Sequence, residues 1–131
     1  MRDPSEWEMP DIERLIFEAT SQVPRGMVTT YGDIASALGD IRASRIVGSV
    51  LSRNPRPIEV PCHRVIYSTG EVGWYCGMGK GTDTKQELLR SEGVQIQEGK
   101  VCDLESFRFK DFHIDAALGR LRDEQERLSG L

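Results

Sequence analysis

The chain has no apolar run approaching the roughly 20 residues that span a bilayer, and it opens on the charged stretch Met1-Arg-Asp-Pro-Ser-Glu. Neither a transmembrane helix nor a secretory leader is expected, and a cytoplasmic protein with no membrane partner is. Cysteine is scarce: Cys62, Cys76 and Cys102 are an odd number without C-x-x-C spacing, which argues against a disulfide framework and for thiols kept reduced. Nor do Cys62, His63, Cys76, Cys102 and His113 show the paired ligand spacing of a structural zinc site, so no metal and no cofactor are expected. A basic excess is missing as well, since 17 Lys and Arg stand against 21 Asp and Glu, a net charge of −4. At 131 residues the chain is long enough for one packed core and short for two. A single domain, acting as a monomer, is the expectation.

The acidic total hides an uneven distribution. Residues 1–21 carry two basic and six acidic side chains, residues 22–90 nine and six, and residues 91–131 six and nine. The positive centre holds Arg42, Arg45, Arg53, Arg56 and Arg64. A local basic patch of this kind attracts phosphates even on an acidic protein, though weakly and with strong salt dependence, and charge pattern alone slightly favours a solvated surface.

Hydrophobic periodicity predicts a helix over 11–21, where Ile12, Leu15, Ile16 and Ala19 share one face and Pro24-Arg-Gly26 stops it. Met27-Val-Thr-Thr30 has the β-branched content of a short strand. A helix over 32–38 with Ile34, Ala35 and Leu38 inward is closed by Gly39, and a second over about 43–53 follows with Ile46, Val47, Val50 and Leu51 as its apolar face. Two short helices joined by a tight glycine-containing turn outline a helix-turn-helix. Val65-Ile-Tyr67, the turn Ser68-Thr-Gly-Glu71 and a return over Val72-Gly-Trp-Tyr75 suggest a small β wing. Cys76-Gly-Met-Gly-Lys-Gly81 is too glycine-rich to be regular. Thr84 and Glu87 form a capping-box pattern before a helix carrying Leu88 and Leu89 and ending at Gly93. In the tail, Ile114, Leu118, Leu121 and Leu128 recur along one stripe, which reads as packing. The expected fold is mainly α, a winged helix-turn-helix-like domain with a small β wing and an extra C-terminal helix. Its expected limits are a lead over 1–10, the domain over 11–95, and an extension over 96–131.

The candidate for chemistry is Val-Pro-Cys-His-Arg-Val-Ile at 60–66, presented from a loop stiffened by Asn54-Pro-Arg-Pro57. A thiol attacks as the thiolate and needs a base or a positive field to form it. Adjacency of Cys62 and His63 does not supply that by itself, because side chains at i and i+1 usually point apart. Read alone, the dipeptide is structural.

Several spaced blocks change that reading. Val23-Pro-Arg-Gly26, Thr30-Tyr-Gly32, Arg45-Ile-Val-Gly48, Asn54-Pro-Arg-Pro57, Pro61-Cys-His-Arg-Val65, Gly73-Trp-Tyr75 and Lys85-x-x-Leu-Leu-x-x-Glu-Gly93 together resemble the DNA-binding, catalytic domain of the O6-alkylguanine-DNA alkyltransferases over about residues 10–94. The resemblance implies direct DNA repair by irreversible transfer of an alkyl group from the O6 of a flipped guanine to Cys62. It implies His63 as the group that accepts the thiol proton, Glu92 as the anchor of the imidazolium, Asn54 as the residue that fixes the loop, and Tyr75 as a donor to the purine ring. Such a relay matches the chemistry, since a stacked base must be extruded before a nucleophile reaches it. It further implies that Arg45 fills the gap left by the extruded base and that Tyr31 crowds its phosphate. By the same resemblance the second helix enters the minor groove, Gly48 and Ser49 are small enough to allow that approach, and Arg53 and Arg64 are further expected DNA-binding residues. Val65, Trp74, Tyr75 and Cys76 form the implied substrate pocket. The implied partner is double-stranded DNA carrying O6-alkylguanine, with other repair proteins as further partners.

The chain departs from the family pattern in three respects. Full alkyltransferases carry an additional domain before the first helix, where about ten residues stand here. Short alkyltransferase-like relatives have tryptophan at the cysteine position and bind alkylated DNA without repairing it. This chain has their length and a similar tail, Val101-Cys-Asp-Leu-Glu-Ser-Phe107, yet keeps Cys62. The loop holding Cys76 is also lengthened by Lys80-Gly-Thr82. Transfer and lesion recognition without transfer both stay open. A winged-helix transcriptional regulator leaves the Cys-His-Glu set unexplained.

Overall fold

The computed structural model describes residues 4–73 and 82–113. Helix α1 spans Pro4–Ser21 and begins earlier than its apolar pattern, with Pro4 in the first turn, where its missing N–H is no loss. Leu15, Ile16 and Ala19 are buried, as the spacing predicts. Past Ser21, β1 (Thr29–Thr30) runs straight into α2 (Tyr31–Ala37), capped by Thr30, whose hydroxyl accepts from the Asp33 N–H at 2.9 Å. Gly39 takes φ +104° after α2, and a 3-10 turn over Ile41–Ala43 leads into α3 (Ser44–Leu51). This is the helix-turn-helix outline. Its core face is Val47, Val50 and Leu51, while Ile46 points out and is 45 % exposed, against the expectation that it belongs to the apolar face. On a helix, Ile46 follows Arg45 directly and shares its outward side.

The strand Val65–Ile66 (β2) pairs with β1 in parallel, Thr29 beside Val65 and Thr30 beside Ile66. Successive side chains of a strand point to opposite faces, so Val65 enters the core of α1, α2 and α3. Ile66 enters a second core with Val28, Val72, Leu89, Val94, Ile96 and Val101. The short ladder is the seam between the two. The expected wing is rearranged: the turn after β2 closes through Tyr67 N–H to Glu71 O at 3.0 Å, but Val72 then donates to Gly99 O at 2.9 Å, so the start of the return pairs with a hairpin further along, while Trp74 and Tyr75 of that return lie outside the described residues. That hairpin, β3 (Ile96–Gln97) and β4 (Lys100–Val101), turns on Glu98 and Gly99, both at positive φ, the geometry of a two-residue type I′ turn.

Helix α4 spans Thr82–Ser91, so Thr84 lies inside it and the capping-box reading does not hold. Gly93, at φ +96°, lets Val94 donate back to Leu89 O at 3.0 Å and ends the helix. A short helix α5 (Leu104–Phe107) follows β4, and the chain then straps across β1: Val28 donates to Phe107 O at 2.8 Å and Phe109 to Val28 O at 2.7 Å. Residues 96–109 are thus built into the domain. The stripe of Ile114, Leu118, Leu121 and Leu128 lies outside the described residues. Among the described residues, no helix is long and apolar enough to cross a membrane.

Candidate functional site

The loop after α3 is held by one side chain. Asn54, 4 % exposed, donates from Nδ2 to Val60 O at 2.8 Å and accepts the Arg56 N–H on Oδ1 at 2.9 Å, so it spans the loop from both sides. Two further backbone bonds tighten it, Val60 N–H to Arg56 O at 2.9 Å and Cys62 N–H to Val60 O at 2.7 Å. At its tip Ile58 sits at φ +78°, a conformation that a β-branched residue rarely adopts.

Cys62, His63 and Arg64 form a single 3-10 turn after Pro61. Three residues complete such a turn, so the three side chains leave it in three directions. Cys62 points into the first core and is fully buried beside Val65 and the helices. His63, 1 % exposed, reaches the end of α4, where Nε2 lies 3.1 Å from both carboxylate oxygens of Glu92. Arg64 turns to the same carboxylate from the other side, with Nε to Oε1 at 2.9 Å and Nη2 to Oε2 at 2.7 Å, while Nη1 donates to Val23 O at 2.8 Å. Arg64 was expected on the nucleic-acid face; it is turned inward, its fork closed on Glu92. The Val23-Pro-Arg-Gly26 block now has a physical role. Val23 supplies a carbonyl to Arg64, Arg25 donates to Ser91 O at 3.3 Å, and Gly26, at φ +89°, lies so close that a Cβ there would stand 3.1 Å from Glu92 O.

These contacts set the charges. Burial lowers the His63 pKa, with Arg64 and Lys85 acting in the same direction, and the opposing pull of Glu92 does not restore it. The imidazole therefore rests neutral, the form that accepts a proton. Burial works to raise the Glu92 pKa, but hydrogen bonds from Arg64 and His63 outweigh it and hold the carboxyl ionised. Glu92 stands ready to stabilise an imidazolium.

A groove of about 630 Å³ opens on the other side of Tyr31, lined among others by Thr30, Asp33, Arg45, Gly48, Ser49 and Tyr67. Tyr31 belongs to both regions, because its ring also packs against the core cluster that contains Cys62. It lies tilted on Tyr67 at 5.3 Å between centroids, and Lys85 Nζ stands 5.8 Å from its ring centre. Gly48 faces the same ring, where a Cβ would meet Cδ1 at 3.8 Å, an ordinary contact. Internal packing thus does not require glycine there. Arg45 is exposed along the groove. Arg53 lies elsewhere, paired with Glu13 at 3.2 Å. Val65 is in the core and does not line the groove, and Trp74, Tyr75 and Cys76 fall outside the described residues. Among the described residues no three His, Cys, Asp or Glu side chains gather as a metal site.

Lys85, which the sequence offers only as the first residue of the Lys85-x-x-Leu-Leu-x-x-Glu-Gly93 block and with no role, is fully buried. The signal was available: Lys85, Leu88, Leu89 and Glu92 fall at i, i+3, i+4 and i+7 and so share the inward side of α4.

Comparison with known proteins places these features in a wider set. Residues 11–94 match the family model described as the 6-O-methylguanine DNA methyltransferase, DNA binding domain. A bifunctional methyltransferase/endonuclease of Picrophilus torridus is 43 % identical over 121 residues, covering 92 % of this chain and 39 % of its own length. The chain therefore spans about two fifths of that relative. Among solved structures, S. pombe Atl1 in complex with damaged DNA containing O6-carboxymethylguanine is similar at a TM-score of 0.68 and 28 % identity, covering 84 % of this chain and 99 % of that one. The O6-methylguanine-DNA methyltransferase of Pyrococcus kodakaraensis is similar at a TM-score of 0.55 and 45 % identity, over 63 % of this chain and 46 % of that one.

Proposed function

Because the chain belongs to the O6-alkylguanine-DNA alkyltransferase family, we propose that it repairs DNA directly, taking the alkyl group of an O6-alkylguanine onto Cys62 in a single, irreversible turnover. The observation that carries this reading is a cysteine retained on the same 3-10 turn as a neutral His63 that is locked to an ionised Glu92. Pure recognition needs no such relay.

In the proposed reaction duplex DNA lies along the groove, Arg45 occupies the space of the extruded nucleotide, and the base passes Tyr31 toward Cys62. His63, directly or through a water, takes the thiol proton, and Glu92 stabilises the imidazolium at 3.1 Å. The thiolate attacks the alkyl carbon, the carbon–O6 bond breaks, and its electron pair goes to the purine, which gains a proton. A thioether and a normal guanine result. A thioether has no easy hydrolytic exit, so each molecule acts once. Lys85, buried with its Nζ 5.8 Å from the centre of the Tyr31 ring, places positive charge behind the aromatic that the base would pass.

A second reading is lesion recognition without transfer, followed by hand-over to another repair activity. The similarity to Atl1 along almost all of that protein favours it, and the endonuclease joined to the P. torridus relative illustrates one kind of partner. Intact-protein mass spectrometry after incubation with a duplex carrying O6-methylguanine separates the two. Transfer adds the mass of one methylene to wild type and nothing to Cys62→Ala. A protein that binds the duplex tightly and stays unmodified would overturn the transferase reading.

A further inference from the structure

We infer that Arg108, in the strap outside the matched domain, is a positioning residue of the nucleic-acid groove, because its bidentate bond to Asp33 cancels a carboxylate on the groove wall and braces the helix turn that carries Tyr31. The inference rests on the reading that this groove takes duplex DNA.

Asp33 lies in the first turn of α2, two residues after Tyr31, and lines the groove together with Arg108. A carboxylate at that place faces the path of a polyanion and repels it. Arg108 meets it with both arms of its fork, Nε to Oδ2 and Nη2 to Oδ1, each at 2.8 Å, and gives its third nitrogen, Nη1, to Glu105 at 2.8 Å. The Asp33–Arg108 pair is largely shielded, with side chains 12 % and 19 % exposed, whereas Glu105 is 70 % exposed. Solvent therefore screens Glu105 better than it would screen an uncovered Asp33. The backbone aims the guanidinium. Phe107 O and Phe109 N–H both bond to Val28, which leaves Arg108 between them with its side chain over the start of α2. Asp33 is held on its other side too, since its own N–H caps onto Thr30. Thr30, Tyr31 and Asp33 are thus one braced unit, and the brace comes from a segment 75 residues away in the chain. A strap with only a packing role would need the backbone bonds and the contacts of Phe107, and would be indifferent to the charge at position 108.

The test measures affinity of the full chain for a fluorescent duplex carrying O6-methylguanine, for wild type, Arg45→Ala, Arg108→Ala and the double variant Asp33→Asn/Arg108→Ala, with thermal melts as the check of folding. Arg108→Ala is expected to weaken binding about tenfold, and the double variant to return to within about threefold of wild type. The defect of Arg108→Ala should shrink as salt is raised, because the exposed carboxylate is then screened. Wild-type affinity in Arg108→Ala, or a double variant that binds no better than Arg108→Ala, would overturn the inference while a weakened Arg45→Ala leaves the groove reading standing. Should wild type fail to bind, or Arg45→Ala bind like wild type, both fall. If Arg108→Ala does not keep its fold, Asp33→Asn alone decides: tighter binding, with a gain that shrinks as salt is raised, supports charge cancellation, and affinity equal to or weaker than wild type refutes it.

Discussion

The interior around Glu92 and the outward face of α2 and α3 are made of the same residue types under opposite conditions. Inside, Glu92 is 7 % exposed and takes four short contacts from His63 and Arg64. Outside, Arg45 is exposed along an open groove, and Arg42, 88 % exposed, pairs with its near neighbour Asp40. The difference teaches where geometry is decided. In the interior a misplaced charge is costly, so folding itself sets the positions, whereas exposed ion pairs contribute about 0–1 kcal/mol and leave their side chains for a ligand to arrange. Substitutions inside should therefore damage stability and chemistry together, and substitutions outside should damage DNA binding alone.

Glu92→Gln is the strongest test of that division. It leaves the Arg64 guanidinium half-buried without its counter-charge and removes the anchor of the imidazolium. Expected losses are about 3 kcal/mol in urea denaturation and about a hundredfold in single-turnover transfer. A variant as stable as wild type would break the comparison on its inner side. Arg45→Ala comes next, with duplex affinity expected to fall about tenfold or more while stability moves by less than about 0.5 kcal/mol. A large shift in its melting curve would break the comparison on the outer side.

The pH response is smaller and sharpens the inner half. The His63 pKa is lowered from 6.5 by burial, so the unfolded chain protonates first, and stability present above pH 6.5 is lost as pH falls below it. Glu92, lowered from 4.5 by Arg64 and His63 against the opposing effect of burial, adds a second loss below pH 4.5. Transfer should survive below the usual histidine range before it falls, since His63 stays neutral there. Urea midpoints and single-turnover rates measured across pH 6.5 check both, and a His63→Gln protein should lack the first loss. The mildest substitution is Gly48→Ala. With only an ordinary contact at 3.8 Å to meet, the added methyl should raise stability by about 0.5–1 kcal/mol. It should also weaken duplex binding about threefold by filling the groove. A loss of stability would show that Gly48 serves the interior, and unchanged or tighter binding would show that it does not face the duplex.

Much of this arrangement was readable from local pattern. The inward residues of α1 and α2, the turn at Gly39, the stop at Gly93 and the loop opened by Asn54 and Pro55 each depend on neighbours a few positions away. Where reading failed, a distant partner had intervened. Val65–Ile66 was expected to fold back on the residues just after it, but it lies parallel to Thr29–Thr30. Val72 bonds instead to a hairpin whose Glu98-Gly99 turn has a weak sequence signal, because glutamate is an uncommon choice for positive φ. On α3 the apolar face expected from Ile46, Val47, Val50 and Leu51 is narrower than the pattern, because Val47, Val50 and Leu51 are buried and Ile46 is not.

The sequence by itself determined the family, the helix-turn-helix and the candidates Cys62, His63, Asn54 and Glu92, because order and spacing along the chain carry that information. Only the tertiary structure decided what Arg64 and Arg108 do. Both are basic residues that composition alone would place on a nucleic-acid face, and each closes its fork on a carboxylate 28 and 75 residues away respectively. The physical reason is desolvation: a carboxylate that folding withdraws from water must find a cation, and which cation reaches it depends on how distant segments pack.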